Sequence, residues 1–204
     1  MWKALVLHVC RLSLLGLVAT IHATCVLKPI TGDDAEFCCD DLHVVHPDIG
    51  DVACKSILHC DNVSQRLLKD GGAPVVTYQK AQKDKMYSLL MMDPDAPSRE
   101  SPGNKYWNHW VIADIQGRDL QSGKSLQGRE ITEYKGPSPP ANTGFHRYQF
   151  FLYLQPPGSR PSLLPSEEKS RGKFNPEAFA LRFGLGKAVA TTQYMVRNPQ
   201  QKDL

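Results

Sequence analysis

Two aspartates separated by a proline form one cluster in this 204-residue chain that could do chemistry. The stretch Asp93-Pro94-Asp95-Ala96-Pro97 directly follows the apolar run from Met86 to Met92. Where a chain is extended, residues two apart point the same way, and a proline ring fixes the backbone between them. Paired carboxylates can hold a metal ion, share a proton or orient a neighbouring histidine. A turn in which each aspartate accepts hydrogen bonds from nearby amides is the alternative.

A second polar cluster starts in a proline-rich loop and runs into a strong strand signal. The loop Gly136-Pro137-Ser138-Pro139-Pro140 leads to residues 146–155, where His146 and Tyr148 share one face with three apolar residues. A polar ring and a hydroxyl at the mouth of a strand, with apolar packing deeper, are typical of a pocket rim above a core. A buried histidine with a purely structural role is the alternative.

His109 repeats this pattern, because it opens the β-branched segment 109–115. Two imidazoles, a phenol and a carboxylate at strand mouths could converge on one pocket that binds an anion. Imidazole and phenol donate hydrogen bonds to phosphate oxygens, and a carboxylate behind a histidine fixes its tautomer. If a protonated histidine holds the anion, we expect its affinity to rise as the pH falls from about 7.5 to about 5.5.

The elements that would position these residues are mostly strands. Alternation, apolar runs and β-branched residues predict strands at residues 73–78, 86–92, 109–115, 146–155 and 188–195. A short helix is predicted to begin at the cap pair Asn175-Pro176 and to end near Gly184. The fold class that follows is a mainly antiparallel β domain with one or two short helices.

The first 23 residues have the features of a secretory signal. They contain no acid, and the apolar run from Ala4 to Ala19 precedes a small residue, Ala23, at a plausible cleavage point. Arg11 lies inside the apolar run and argues against a stable transmembrane span, although an uncleaved anchor is the alternative. We therefore expect a mature protein of the secretory pathway, either secreted or delivered to the lysosome.

Five of the six cysteines lie between residues 25 and 60, which favours disulfides that staple an N-terminal extension onto a secreted domain. The disulfide candidates are Cys25, Cys38, Cys54 and Cys60. Cys39 is adjacent to Cys38, so a bond between those two is strained. The odd count leaves at least one thiol free or paired with another chain. A zinc site near His43, His46 and Cys54 is the alternative.

Three regions are predicted along the chain: a signal peptide at residues 1–23, a Cys-bearing extension at 24–60 and a single domain at 61–204. Asn62 begins the one glycosylation sequon, which needs the same compartment as the signal and the cysteines. The formal net charge of +3 is too small to predict a nucleic-acid-binding protein. The lysines between residues 80 and 85 indicate a solvated loop, which could also contact an anionic membrane.

Taken together, the motifs resemble the phosphatidylethanolamine-binding protein (Raf-kinase inhibitor protein) family. The resemblance covers about residues 65–196 and rests on motifs that occur in the family's order. They are Asp93–Arg99, His109-Trp110, Gly136–Pro140, Gly144–Tyr148 and Arg171–Phe174. Because a signal peptide and a Cys-bearing extension precede them, the chain is most similar to a secreted vertebrate member of that family.

The resemblance implies an antiparallel two-sheet, β-sandwich-like fold with a few short helices over residues 61–204. A small pocket at one end would bind phosphate or phosphoethanolamine head groups. The ligand-binding residues that the resemblance implies are Asp93, Asp95, Pro97, His109, Ser138, His146 and Tyr148. A cis bond before Pro97 is also implied. Ser138 stands where the family often has glycine, and its hydroxyl could donate a replacement hydrogen bond.

The expected function is that of a non-catalytic, secreted protein that binds phosphatidylethanolamine or another phosphate-bearing ligand. It would need no cofactor, could modulate signalling through protein partners and could contact a membrane peripherally. A peptidase or kinase-pathway inhibitor that acts through its surface is one alternative. A hydrolase with Ser138 as nucleophile is another, although the sequence has no Gly-x-Ser-x-Gly elbow and no metal-spaced histidine pair. The last alternative is a metal site at Asp93, Asp95, His109 and His146.

Overall fold

The computed structural model describes residues 26–59, 67 and 72–198. The predicted signal peptide (residues 1–23), the disulfide candidates Cys25 and Cys60 and the sequon residue Asn62 lie outside the described residues. What the sequence indicates for each of them therefore stays a prediction.

Ten strands in the described part of the chain form two sheets. In chain order they are β1 (Val26–Pro29), β2 (His43–His46), β3 (Gly50–Asp51), β4 (Lys55–His59), β5 (Val75–Thr77), β6 (Met86–Asp93), β7 (Trp107–Gln116), β8 (Arg129–Thr132), β9 (Phe145–Gln155) and β10 (Ala190–Arg197). The large sheet has the strand order β1-β4-β10-β9-β6-β7-β8, and the small sheet has the order β3-β2-β5. The predicted mainly β, two-sheet fold is confirmed. Its strands pair antiparallel except β4 and β10, a parallel pair that the sequence did not predict.

Short helices connect the strands. A 3₁₀ helix spans Gly32–Phe37, and it is followed by α1 (Gly117–Ser122), α2 (Pro165–Lys169) and α3 (Pro176–Arg182). The predicted start of α3 is confirmed, because the Asn175 side chain accepts a hydrogen bond from the Ala178 amide and a proline occupies the first turn. None of the described helices is long and apolar enough to cross a membrane.

Strand β6 contributes to the core on both of its faces. Leu89, Leu90, Met91 and Met92 are fully buried, since β7 and β9 flank this strand inside the large sheet. Successive side chains point to opposite faces. Leu89 and Met91 therefore pack into one cluster, and Leu90 and Met92 pack into a second cluster with Phe179 of α3. Each such side chain stabilises the fold by about 1.5–3 kcal/mol, and the predicted strand buried on both faces is confirmed.

The region predicted as an N-terminal extension contributes strands to both sheets. β1 and β4 lie in the large sheet, and β2 and β3 lie in the small one. Cys38 and Cys54 form a disulfide with a Cα–Cα distance of 6.0 Å, whereas Cys39 is an exposed free thiol. The zinc alternative loses one of its ligands, because the Cys54 sulfur is part of the disulfide.

Candidate functional site

Three strand ends meet at one end of the large sheet. The end of β6 lies beside the start of β7, where Asp93 pairs with Trp107. It also lies beside the start of β9, where Met92 pairs with Gln149. Antiparallel pairing of neighbouring strands thus gathers side chains that are far apart in the chain.

The strand ends and their loops surround a cavity of about 160 Å³. The wall consists of Asp93, Ala96, Pro97, Asn104, Trp107, His109, Ser138, Pro140, His146 and Tyr148. Six of the seven ligand-binding residues proposed from the sequence are in this wall, and Asp95 is not. The peptide bond before Pro97 is cis. Typical small-molecule pockets measure roughly 300–1,000 Å³, so this cavity suits a small polar group and not a whole lipid.

His146 is held by hydrogen bonds at both ring nitrogens. Nδ1 lies 2.8 Å from Asp93 Oδ2, and Nε2 lies 2.9 Å from Thr143 Oγ1. The Thr143 hydroxyl also lies 2.8 Å from the Pro140 carbonyl oxygen, which can only accept. The Thr143 hydroxyl donates its one proton to Pro140. His146 and Asp93 thus form a buried, hydrogen-bonded pair.

His109 is neutral and carries its proton on Nδ1. Its Nδ1 lies 2.7 Å from the Lys135 carbonyl oxygen, so Nδ1 carries the proton and Nε2 keeps its lone pair. Burial lowers the pKa of His109 from 6.5 to about 4, which keeps the ring neutral at physiological pH. The His109 ring is therefore uncharged in the free protein near neutral pH. A pH dependence of anion binding in that range needs another source.

Tyr148 brings a neutral phenol to the cavity wall. The side chain is fully buried, and burial raises the pKa of Tyr148 well above its ordinary value. Its oxygen accepts a hydrogen bond from the Ser138 amide at 3.2 Å, which leaves the hydroxyl proton available to a ligand. The ring stacks on Tyr194 with centroids 5.4 Å apart and meets the His109 ring edge to face at 5.1 Å. Aromatic packing therefore fixes the position of the phenol.

The two aspartates of the Asp-Pro-Asp stretch bind different partners. β6 ends at Asp93, and the Asp95 amide donates to Asp93 Oδ1 at 2.7 Å, which makes a turn. Asp95 accepts hydrogen bonds from Arg147, at 2.9 Å from Nε and 2.6 Å from Nη2. The extended interpretation, in which the two carboxylates point the same way, is wrong. The backbone makes a turn at these residues, as the alternative predicted. Asp93 still orients His146, and Asp95 shapes the loop from outside the cavity.

Most of the chain matches one protein family. Residues 55–196 match the family described as phosphatidylethanolamine-binding protein. The chain belongs to the phosphatidylethanolamine-binding protein family. Among solved structures, the CG7054 solution structure is similar, with 30% identity and a TM-score of 0.56. That alignment covers 79% of this chain and 84% of the other.

Two further solved structures share the fold at lower identity. A phosphatidylethanolamine-binding protein from Plasmodium vivax is 22% identical, with a TM-score of 0.58 and coverage of 79% of this chain and 85% of the other. A carboxypeptidase Y inhibitor, solved in complex with its cognate proteinase, is 23% identical, with a TM-score of 0.57 and coverage of 77% and 82%. These two likenesses show the fold, and the family resemblance drawn from the motifs is confirmed.

Three residues that support the site in this family member were missed by sequence reasoning. Thr143 completes the hydrogen-bond chain of His146. The one feature of the sequence that could have indicated this role is that Thr143 lies three residues before that histidine. Lys135 contributes a backbone carbonyl, which no side-chain pattern reveals. Arg171 donates from Nη1 to three backbone carbonyl oxygens, that of His109 among them, at 3.1–3.2 Å. Its motif was recognised, but its role in fastening the start of β7 was not.

In the described part of the chain, no group of three or more His, Cys, Asp or Glu side chains is placed to hold a metal ion. Two ligands of the alternative metal site have other partners. Asp95 binds Arg147, and both ring nitrogens of His146 are hydrogen-bonded to protein side chains. The groups that can bond a ligand in the cavity include the Tyr148 hydroxyl, the Ser138 hydroxyl and His109 Nε2. These groups allow a ligand in the cavity to be held by hydrogen bonds.

Proposed function

We propose that this family member is a non-catalytic protein that binds the phosphate of a small head group, such as phosphoethanolamine, in the cavity. The observation that carries the proposal is the convergence of His109, Ser138 and Tyr148 on a cavity of about 160 Å³ beside the hydrogen-bonded pair of His146 and Asp93. The two hydroxyls donate hydrogen bonds to phosphate oxygens. The volume admits a head group and leaves acyl chains outside.

Proton uptake is part of the proposed binding step. His109 Nε2 carries a lone pair in the free protein, and a lone pair repels a phosphate oxygen. Either the phosphate binds as the monoanion with its own proton, or solvent protonates the ring. In both cases the complex holds one more proton than the free protein and the free phosphate dianion hold together. Binding should therefore strengthen as the pH falls, in the direction expected from the sequence but by another route.

The absence of catalysis follows, in this proposal, from the hydrogen-bond partners of His146. A carboxylate, imidazole and hydroxyl in a row promote nucleophilic attack when the imidazole takes the hydroxyl proton. Here His146 Nε2 lies 2.9 Å from the Thr143 hydroxyl, which donates its proton to the Pro140 carbonyl oxygen and not to the imidazole. The hydrolase alternative with Ser138 would also need a free base, and both nitrogens of His146 have other partners. Esterase or phosphatase activity that Ser138→Ala abolishes would contradict this reading.

Calorimetric titration with phosphoethanolamine tests the binding proposal. We expect Tyr148→Phe to weaken binding by about tenfold or more, since it removes a hydrogen bond to a charged group. Tyr194→Phe is the matched control, because Tyr194 is equally buried, stacks on Tyr148 and does not line the cavity. Equal heats from the wild type, Tyr148→Phe and His146→Ala would overturn the proposal.

We also propose that the chain is a secreted or lysosomal protein, most similar to the secreted vertebrate member of the family. Support comes from the acid-free apolar N-terminus and from the disulfide between Cys38 and Cys54, because disulfides persist in oxidising compartments. The full chain, expressed with a C-terminal tag, should reach the medium or lysosomes without residues 1–23 and with a glycan on Asn62. Full-length, unglycosylated protein confined to the cytosol would contradict this assignment.

Two sources could present the same phosphate chemistry, a free metabolite and a membrane lipid. Soluble phosphoethanolamine tests the first source. Flotation with vesicles that contain phosphatidylethanolamine, against vesicles of phosphatidylcholine alone, tests the second and any peripheral contact with a membrane. Modulation of signalling through protein partners, and inhibition of a peptidase or a kinase pathway, stay predictions from the family resemblance.

A further inference from the structure

A charged contact joins the N-terminal region to the loop that forms one wall of the cavity. The Asp34 carboxylate accepts two hydrogen bonds from Arg99, at 2.9 Å to Oδ2 and 2.8 Å to Oδ1. Oδ1 accepts another from Arg147 Nη1 at 3.2 Å. The Asp34 side chain is only 17% exposed, and the Arg99 guanidinium lowers the pKa of that carboxyl. Partial burial reduces the screening of these charges by solvent and salt.

Both arginines lead directly to the cavity. Arg99 ends the segment that follows β6, residues 94–99, here named the cavity loop. Arg147 follows His146 in β9 and holds Asp95 of the cavity loop through its backbone amide, Nε and Nη2. The Asp34 carboxylate therefore bridges the cavity loop and the strand that carries the buried histidine.

The 3₁₀ helix that carries Asp34 is itself anchored. Cys38, directly after that helix, is bonded to Cys54. The Phe37 carbonyl oxygen accepts a hydrogen bond from Thr191 Oγ1 at 2.6 Å, and Cys39 forms an isolated β-bridge with Thr191. The segment thus has one covalent attachment and a fixed position on β10.

We propose that residues 32–39, the clamp segment, hold the cavity loop in its ligand-binding geometry through Asp34, and that the disulfide between Cys38 and Cys54 keeps the clamp segment in place. Asp34 is a positioning residue, because it acts through Arg99 and Arg147. The inference rests on the proposed function, since it concerns the regulation of that same site.

Reduction of the anchoring disulfide would then weaken ligand binding. A dithiol reductant breaks the bond between the Cys38 and Cys54 sulfurs, leaves a hydrogen on each sulfur and is itself oxidised to a disulfide. The clamp segment keeps its hydrogen bonds to β10 but loses its covalent attachment. Asp34 then holds the two arginines less firmly, and the affinity of the cavity falls.

Two adjacent aspartates provide a matched test of the ionic contact. Asp34→Asn removes the charge that the arginines bind, whereas Asp33→Asn makes the same change at an exposed position outside those contacts. We expect Asp34→Asn to weaken phosphoethanolamine binding about three- to fivefold, and Asp33→Asn to leave it unchanged. Arg99→Gln should weaken it less, because Arg147 still binds Asp34, and the double variant should be no weaker than Asp34→Asn. No loss, or additive losses, would overturn the proposal.

Hydrogen exchange tests the clamp segment without any ligand. In the free protein, Asp34→Asn should speed amide exchange in residues 94–106, where the Asn104 amide bonds the Ala96 carbonyl, and Asp33→Asn should not. Unchanged exchange in Asp34→Asn contradicts the clamp even if phosphoethanolamine binds. Faster exchange in a protein whose wild type binds no phosphoethanolamine supports the clamp and contradicts the proposed function.

The anchoring disulfide is tested by the Cys38→Ser/Cys54→Ser variant. We expect it to reproduce the faster exchange of residues 94–106 and the weaker binding of Asp34→Asn, with little further loss when the two are combined. Unchanged binding and exchange in the folded variant would remove the disulfide from the proposal. If the variant does not fold, folded wild-type protein treated with dithiothreitol gives the same two measurements.

Discussion

His146 Nδ1 and Asp93 Oδ2 lie 2.8 Å apart, although the two residues are separated by 53 positions in the chain. Their side chains are 1% and 5% exposed. A hydrogen bond between two buried polar groups offsets the loss of their hydration only while both partners are present. The pair therefore ties the end of β6 to the start of β9, and this is where the cavity forms.

The double variant, which lacks both partners, should lose less stability than the two single variants lose in sum. Asp93→Asn and His146→Gln each remove one partner of a buried hydrogen bond and leave the other partner unsatisfied. We expect each change to lower the free energy of unfolding by about 1–3 kcal/mol, and the double variant to lose clearly less than the sum. Urea denaturation of the four proteins measures this coupling. Additive losses would show that the two side chains are not coupled.

Anion affinity should depend on pH even for an anion that does not titrate. Phosphate esters ionise near pH 6, whereas sulfate stays a dianion from about pH 7.5 to about 5.5. A sulfate beside His109 favours the charged ring, so the pKa of His109 rises from about 4 in the free protein. Between the free and the bound pKa, binding takes up a proton, and the affinity rises by at most about tenfold for each pH unit of fall.

The control for this pH dependence is His109→Asn. The asparagine amide can still donate to the Lys135 carbonyl oxygen, but it cannot take up a proton. Calorimetry with sulfate should show an affinity that rises toward acid pH in the wild type and stays constant in His109→Asn. A flat profile in the wild type, or an equal slope in both proteins, would remove His109 from the proton uptake.

The strands that carry the site were predictable because their signals are local. The alternation in β9 and the apolar run in β6 can be read from neighbouring residues. The partners of the polar groups were not predictable in this way. Asp95 binds Arg147 because of the register between β6 and β9, and the low pKa of His109 comes from burial by segments distant in the chain.

The N-terminal region shows the same limit. The cysteine spacing predicted an extension held to the domain by disulfides. Four candidate cysteines allow three pairings, and spacing alone does not show which of the other three is the partner of Cys38. The parallel pairing of β4 with β10 and the contact of Asp34 with Arg99 both join parts of the chain that are far apart. Both depend on the tertiary structure and leave no local pattern.

Acid should destabilise the protein through two histidines that are buried in their neutral form. Burial lowers the pKa of His46 and of His109 from 6.5 to about 4. Between these values the unfolded chain takes up protons that the folded protein does not. The free energy of unfolding should therefore be retained above about pH 6.5 and fall as the pH drops toward about 4. Each histidine contributes up to about 3 kcal/mol to that fall.

His46→Phe tests this effect away from the cavity. His46 Nε2 has no hydrogen-bond partner among the described residues, and its ring meets Tyr194 edge to face at 5.7 Å, a contact that phenylalanine can keep. We expect the variant to lose less stability than the wild type between about pH 7 and about pH 5. Urea denaturation at both pH values measures the difference. Equal losses in the two proteins would show that His46 does not contribute.

Gly136 should not tolerate a side chain, because its loop passes close to another backbone segment. A Cβ there would lie 2.5 Å from the Leu67 carbonyl oxygen, so Gly136→Ala must shift the loop that carries Ser138. Gly103→Ala is the control, because nothing in the described part of the chain lies within 4 Å of a Cβ at that position. We expect Gly136→Ala to lower the free energy of unfolding by about 1–3 kcal/mol and to weaken phosphoethanolamine binding. Gly103→Ala should leave both nearly unchanged, and calorimetry with thermal denaturation compares the two. Equal behaviour of the variants would mean that the loop accommodates the methyl group without moving Ser138.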